Sequence, residues 1–531
     1  MNSSRLLLIL VYFLLSIPFS TAWSCGGFFC QQLPINQAAE QIVFRQEGSQ
    51  ITTMVQITYS GTAENFGWVL PVPTTPELSI GNNQTFLELE RVTRPQFLLT
   101  REGNACPVDS DDSNDVADGS PDDIPEGVNI EEALRVGPFD ALIISSDDPN
   151  ALAAWLADNN LDLSSRGEEL LAPYIAENMK FVVLRLQRNR AVGDIQPIIL
   201  KYESDKPSIP IKLTAVAAED DMGVLVWLLG SARAVPDNYL HVIPNYTLLN
   251  WYAGSRNAYA SYQNLVTVAM NEAGGQGFAS DYAGNFPNLT STFTTSQQYS
   301  NLLNEFQSTT SAAFISAFFG RISDAQIQSS IQTLLPHDNV SIYFDPEALS
   351  AEFTSEQLDN ARTSITDLVQ NEIIPSFDNS LDILNTDLYL TRLYTTLSAD
   401  EMISDPTFVF NSEMEDQPLQ RRALLQTDCT ANGTRWTLTL GEGTDREGEL
   451  VIDAYDDIPS NTPPELTQNS AWQIAKTDVE GSPEINSQED FPVARIGDRP
   501  IDDDGGGALG VTLLIISLLI IMIGYLARKL E

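Results

Sequence analysis

The chain has 531 residues, with 72 acidic against 28 basic side chains, a formal net charge of -44 and an isoelectric point near 4.1. Repulsion on that scale excludes nucleic acid and anionic lipid surfaces as ligands. The 43% hydrophobic and 9% aromatic content, with 19% charged, still describes a chain that buries a core, unlike an acidic disordered tail.

Residues 1–22 follow the order of a secretory signal peptide: a charged start ending at Arg5, an apolar run from Leu6 to Phe19, and small residues at Ser20 and Ala22. Cleavage after Ala22 fits that order. Cleavage after Ser24 would leave Cys25 as a lipid-attachment point, but Ala22-Trp23-Ser24 lacks the small, aliphatic approach of lipoprotein processing.

Residues 23–260 read as a β-rich ectodomain region. Strands are expected at Ile42–Phe44, at Ile51–Tyr59 with apolar residues of one parity, and at Phe66–Leu70. A short helix over Thr85–Val92 ends before Arg94-Pro95. An acidic loop at 107–130 holds eight acidic and no basic residues between Asp109 and Glu126. Val136–Ser145 is strand-like, and Asp148-Pro149 opens a helix through Ala151–Leu156 with an N-cap and a first-turn proline. Four more strands are expected at Phe181–Leu186, Ile195–Tyr202, Ile209–Ala217 and Val224–Leu229.

Residues 261–428 turn mainly helical. Ser323-Asp-Ala-Gln326 and Thr354-Ser-Glu-Gln357 both have capping-box form, and Leu358, Ala361, Ile365, Leu368 and Val369 make one apolar stripe. Pro336 and Pro375 are expected to end these helices. Residues 429–507 begin with short strands, Trp436–Leu440 and Leu450–Ile452, and continue as an acidic stalk rich in Pro, Ser and Asn.

Residues 508–527 are uncharged and apolar over about the 20 residues that a membrane-spanning helix needs. Asp502, Asp503 and Asp504 precede the segment and Arg528 and Lys529 follow it, so the positive-inside bias puts 528–531 in the cytoplasm and the body outside. The expected fold is therefore α+β, with an antiparallel sheet-rich N-terminal half, a helical C-terminal half and one C-terminal transmembrane helix. The chain is expected at the cell membrane as a single-pass protein.

Four cysteines, Cys25, Cys30, Cys106 and Cys429, suit two disulfides in an oxidising compartment. Three pairings are open. The favoured one joins Cys25 to Cys30 around two glycines and leaves Cys106 with Cys429 as a long-range staple. Zinc is the rival use, but neither His241 nor His337 lies near a cysteine in sequence.

Asp109, Asp111, Asp115 and Asp118, with Ser113, place oxygens at alternate positions as a calcium loop does. No glycine stands at the sixth position and no glutamate at the twelfth, so the stretch reads as a solvated acidic loop with weak calcium binding only. No other cofactor is expected. The sequons at Asn83, Asn245, Asn288, Asn339 and Asn432 are about as many as chance gives in a chain rich in Asn, Ser and Thr.

No Gly-x-Ser-x-Gly elbow exists, and Gly274-Gly-Gln-Gly277 and Gly441-Glu-Gly443 fit neither phosphate-binding pattern. His241 sits in an apolar run that reads as a packed strand, and His337 follows the helix-stopping Pro336. The catalytic residues, if the chain has any, are not legible. The function read from these features is a binding or structural ectodomain at the envelope, anchored in the membrane, with a cell-envelope protein or glycan as ligand. The alternatives are a carboxylate-dependent hydrolase and a calcium-dependent adhesion module.

Three stretches are similar to a bacterial family known as domain of unknown function 2330. The first is Cys25-Gly-Gly-Phe-Phe-Cys30 with Asn36–Phe44 and Gly67-Trp-Val-Leu-Pro-Val-Pro73. The second is Val136-Gly-Pro-Phe139, Ala151–Leu156, Pro173-Tyr-Ile175, Phe181–Arg185 and Ile209–Thr214. The third is Tyr389–Leu397 with Asp405-Pro-Thr-Phe408. The resemblance implies an exported protein and carries no activity or catalytic residue. Leu161 departs from it, at a position where the family commonly has an aromatic.

Overall fold

The computed structural model describes residues 36–60, 67–103, 129–158, 165–187, 195–216, 218–251, 254–285, 294–322, 324–385, 388–430, 433–444, 447–448, 450–455, 471–476 and 484–486. Alternating apolar positions make β1 (Asn36–Glu47) and β2 (Gln50–Ser60), which pair through a turn with Gly48 at φ 65°. Next come β3 (Gly67–Val72), β4 (Glu77–Ile80), α1 (Asn83–Thr93) and β5 (Gln96–Gly103). A hairpin of β6 (Asn129–Val136) and β7 (Phe139–Ser145) turns on Gly137-Pro138. Gly137 has φ 55°, and the fixed negative φ of proline after it suits a type II′ turn.

Then follow α2 (Pro149–Asp158), α3 (Ser165–Ala176), β8 (Lys180–Leu186), β9 (Ile198–Glu203) and the single turn α4 (Ile211–Thr214). After these come β10 (Ala218–Gly230), β11 (Arg233–Pro236), β12 (Leu240–Pro244), α5 (Gly254–Glu272) and β13 (Gly277–Asn285). A run of helices separates β13 from the next strand: α6 (Gln297–Glu305), α7 (Ser311–Arg321), α8 (Ala325–Leu334), α9 (Pro346–Glu352), α10 (Ser355–Leu368) and α11 (Ile374–Leu384). The remaining strands are β14 (Tyr389–Leu397), β15 (Phe408–Asn411), β16 (Gln420–Thr430), β17 (Gly433–Leu440), β18 (Leu450–Tyr455), β19 (Ala471–Lys476) and β20 (Glu484–Asn486).

The main sheet runs β20-β19-β12-β13-β14-β10-β1-β2-β9-β4. It is mixed: β1 lies parallel to β10 and β12 parallel to β13, so the expectation of an antiparallel sheet is corrected at its centre. The reason is visible in β10, whose run Val224–Leu229 is apolar at every position and buried on both faces, the habit of an interior strand. Its Val224, Val226 and Leu228, with Ile42 and Phe44 of β1, pack against Leu70, Val182 and Leu184 of the smaller sheet β3-β8-β7-β6. On the opposite face Val43, Trp227 and Leu229 meet Phe86 and Leu89 of α1 and Ile383 of α11. Helix α5 is clamped between the main sheet, through Val242 and Ala279, and the sheet β18-β17-β16-β5, through Phe97, Ala423 and Leu425.

The structure is thus α+β with a sheet-rich N-terminal half and helices later in the chain. The helices form an insertion with its own core, including Phe318, Ile327, Tyr343, Ile365 and Val369, and among the described residues seven strands follow them. The capping box at Thr354 and Gln357 is present, whereas the helix near Ser323 is capped by Asp324, whose carboxylate accepts from the Ile327 N–H. Pro375 does not end its helix. A π-turn at Val369–Ile373, closed by the Ile374 N–H on the Val369 carbonyl, widens the backbone and lets proline stand in the first turn of α11. Ile209–Ala217 is not a strand either, because Pro210 breaks it and α4 buries Ile211 and Leu213.

One buried polar cluster joins the layers. Arg392 of β14 is fully buried and lies 2.6 Å from the Glu90 carboxylate of α1 and 3.0 Å from that of Asp281 of β13. Its guanidinium also stacks on Trp227, 5.6 Å from the ring centre, and donates to the Tyr259 hydroxyl at 3.2 Å. Asp281 stands where the β13–β14 register slips, a bulge that turns its side chain inward to accept from the Tyr262 hydroxyl at 2.5 Å. The Asp281 carbonyl is met by the guanidinium of Arg421, which reaches across from β16 at 3.0 Å. Burial raises the pKa of Asp281 from its ordinary value, against the pull of Arg392, while Asp281 and Glu90 hold that of Arg392 up against its own desolvation.

His241 is also buried, in β12, with Nε2 3.4 Å from the Ser280 hydroxyl. Burial, and then the nearby Arg233, lower its pKa to about 3.

Replacing Arg392 with Leu strands the buried Asp281 carboxylate and removes the partner of the part-exposed Glu90, and a loss of about 3–5 kcal/mol is expected in urea unfolding. An unchanged midpoint would show that the pair contributes nothing. His241 is neutral when folded and titrates near its ordinary 6.5 when unfolded, so its contribution is full above pH 6.5 and is lost as pH falls toward 3. His241→Gln should therefore lose less stability than the parent between pH 7 and pH 4.5, and parallel losses would refute the assignment.

Candidate functional site

The described surface opens into a cleft of about 460 Å³ where the helical insertion meets the main body. That lies within the roughly 300–1,000 Å³ of small-ligand sites. One wall is the N-terminus of α1. Asn82 caps this helix by accepting from the Gln84 N–H at 2.9 Å, and its amide donates to the Ser376 hydroxyl of α11 at 3.0 Å. The Asn82 N–H donates to Ser380 at 2.8 Å, so two serines of the insertion hold the start of α1 in place. Asn83 accepts from Gln56 at 2.7 Å and donates to the Ile195 carbonyl at 3.1 Å. Its sequon is therefore engaged within the fold.

The opposite wall comes from the insertion. Tyr299 of α6 donates to the Asp324 carboxylate at 2.7 Å, and that carboxylate caps α8. Burial, together with Asp324, pushes the Tyr299 pKa upward, so the phenol stays protonated as a donor. Arg321, at the end of α7, is drawn outward to Glu305 at 2.7 Å and lies over the Phe306 ring. Glu88 of α1, largely buried, receives both the N–H and the hydroxyl of Thr294, closing the side where the chain enters the insertion.

Across the floor Gln196 donates to the Gln326 carbonyl oxygen at 2.9 Å. The pair leaves the Gln196 Oε1 and the Gln326 Nε2 without hydrogen-bond partners, although both atoms are buried. Gly137 lies against this Oε1, so close that a Cβ there would stand 3.1 Å from it. Six of the fourteen lining residues carry carboxamides, and Arg321 and Asp324 are the only charged ones. Such a lining offers donors and acceptors in about equal number and no net charge. It holds one carboxylate, already engaged by Tyr299 and the helix cap, and no histidine or cysteine.

The residues singled out in the sequence lie elsewhere. Asp109, Asp111, Asp115 and Asp118 are outside the described residues, as are Cys25, Cys30 and Cys106 and the segments 1–22 and 508–527. Leu161 is outside them as well. Cys429 belongs to β16. Among the described residues no group of three or more His, Cys, Asp or Glu is placed to hold a metal ion, and no helix is long and apolar enough to cross a membrane. His241 is sealed in the core with its pKa held low, and His337 lies at the insertion's surface, 4.0 Å from Glu352. Neither faces the cleft. The cleft escaped the sequence reading, which began α1 at Thr85 and read the start of α8 as the Ser323–Gln326 capping box.

A second polar cluster unites the motif stretches. The Asp405 carboxylate accepts from the Tyr174 hydroxyl at 2.9 Å and the Lys212 N–H at 3.0 Å, and lies 3.3 Å from the Lys212 ammonium. Burial raises the Asp405 pKa against the hydrogen bonds and charge of Lys212. The cluster ties α3 and α4 to the segment before β15, which is a structural task.

Searches of curated proteins and of solved structures returned no significant match. A family model described as an uncharacterized protein conserved in bacteria, domain of unknown function 2330, matches residues 19–309. That span takes in Cys25–Cys30, β1 to β3, Gly137, Tyr174 and Lys212, while Asp405 and the β14 motif lie beyond it. Covering more than half of the sequence, the match establishes that this chain belongs to that bacterial family.

Proposed function

We propose that the chain is a ligand-binding ectodomain, exported through its N-terminal signal and held at the outer face of the cell membrane by residues 508–527. The observation that carries the binding reading is the cleft: it is open, polar and walled by residues from α1, α6, α8 and α11. Its lining favours binding over hydrolysis, because a glycosidase-type reaction uses two carboxylates about 5–10 Å apart and Asp324 is the one carboxylate there. Export is supported by the signal-like start and the apolar segment between Asp504 and Arg528.

The favoured cysteine pairing gains support from the strand register. β5 and β16 run parallel, ending at the pair Gly103 and Thr427, and Cys106 and Cys429 follow those residues by three and two positions. A disulfide there would add a covalent link to two strands already joined by ladder hydrogen bonds and by the packing of Phe97 with Ala423 and Leu425.

In a bacterial host the full chain should fractionate with membranes, resist alkaline extraction, and lose its body to protease added outside spheroplasts. Recovery in the cytoplasm, or protection from external protease, would sink the export reading. Peptide mapping without reduction should recover Cys106 linked to Cys429, and alkylation of both as free thiols would refute that pairing. Incubation with glycan and peptide substrates should yield no product, and turnover abolished by Asp324→Asn would overturn the non-enzymatic reading.

A further inference from the structure

We infer that the cleft between α1 and the helical insertion is a saccharide site, taking a small, neutral, polyhydroxylated ligand. The inference rests on the binding reading above and gives that site its ligand class. Charge is the first constraint. In a chain of net charge -44 the lining holds a single Arg and a single Asp, each paired with a protein group, so neither a cation nor an anion finds an uncompensated partner.

Hydrogen-bonding capacity is the second. Asn82 and Asn83 are consumed in fixing the wall, whereas Gln84 and Gln298 stand exposed at the rim; Gln84 gives one N–H to Glu88 at 3.3 Å and Gln298 bonds the Tyr299 hydroxyl, which leaves each carboxamide further donor and acceptor capacity. A hydroxyl group both accepts and donates from one atom, which matches that lining better than a group restricted to one role.

The Gln196 and Gln326 pair supplies the third. Gln196 is 6% exposed, and with the pair closed on itself one acceptor and one donor are left buried without partners. Reversing both amides only exchanges which atoms are stranded. A ligand hydroxyl set against the two free atoms can accept from the Gln326 amide and donate to the Gln196 carbonyl oxygen while their mutual hydrogen bond stays in place, satisfying both. Unmatched buried polar atoms are uncommon in finished cores, and their position beneath an open cleft points to a group that arrives from outside. Leu87, which is 63% exposed at the rim, offers apolar surface for the C–H face of a sugar ring, with the buried Ile322 and Phe377 behind the lining. A peptide backbone also offers both donors and acceptors, so triglycine amide is the competitor that discriminates the two ligand classes.

The test uses the full chain in a sugar-free detergent and calorimetric titration with glucose, galactose, mannose, N-acetylglucosamine, maltose, lactose, cellobiose and chitobiose. Saturable binding of at least one sugar at millimolar concentration is expected, with no binding of triglycine amide. Gln84→Ala with Gln298→Ala should weaken that sugar about tenfold or more while circular dichroism shows the fold retained. Gln196→Met, which removes the buried pair without changing charge, should weaken it comparably. No saturable binding of any sugar, binding unaffected by both sets of changes, or triglycine amide competing at the same site would overturn the saccharide assignment. Those outcomes leave the location of the chain untouched, since fractionation and external protease report it independently.

Discussion

The guanidinium of Arg392 is the constraint around which the fold is arranged. A fully buried cation is tolerated only where opposite charge and hydrogen-bond acceptors surround it. Here those groups come from α1, β13 and α5, through Glu90, Asp281 and Tyr259. The bulge in β13 is part of the same solution. It turns Asp281 inward, and the backbone carbonyl it frees is answered by Arg421 from a different sheet. Two buried arginines thereby fix the main sheet against α1 on one side and against β16 on the other. The apolar contacts of Trp227 and Phe86 would allow α1 to slide along the sheet, whereas the ion pair to Glu90 sets its position.

That position matters because α1 has two tasks at its two ends. Its last turn carries Glu90 and Thr93, which belong to the Arg392 cluster, with the Thr93 hydroxyl also accepting from the Trp227 indole at 2.8 Å. Its first turn carries the Asn82 cap and Gln84, which form a wall of the cleft. The helix spans eleven residues, so a shift at the buried end is transmitted to the cleft as a rigid displacement. Ser376 and Ser380 meet the capped end from the insertion, and Glu88 holds Thr294 at the point where the chain enters it. The insertion is therefore tied both to α1 and directly to the main sheet, where Ile383 packs on Trp227 and Leu229 and Asn379 donates to the Ile80 carbonyl, and α1 sets one wall of the cleft.

Strands and helices were legible wherever local periodicity decided them. β2 shows alternation, the insertion's helices show a 3.6-residue stripe, and Thr354 with Gln357 forms the capping box its spacing implies. Reading failed where tertiary context overrode the local pattern. Ile209–Ala217 is apolar enough for a strand, but Pro210 and the pull of Asp405 on the Lys212 N–H make it a helical turn. Pro375 looked like a terminator until the π-turn before it absorbed the missing hydrogen bond. The parallel pairing of β1 with β10 joins residues far apart in sequence, and no local signal encodes it. The cleft was illegible for the same reason: Gln84, Gln196 and Gln326 come from three separate regions, and each alone reads as an ordinary surface amide.

The contrast between the cleft and the rest of the molecule narrows what it can hold. A surface field as negative as this chain's depletes anions nearby and enriches cations, with a reach of about 8 Å at physiological salt. A charged ligand would be governed by that field as much as by the cleft itself. A neutral one is insensitive to it, so recognition falls to hydrogen-bond geometry and to the shape set by α1 and the insertion. Geometry of that kind requires rigid walls, because a displaced amide forfeits the directional bond on which discrimination depends. The expensive burial of Arg392 and the serine contacts to Asn82 then serve one end: they hold carboxamides at fixed spacing on a surface whose charge offers a neutral ligand no attraction.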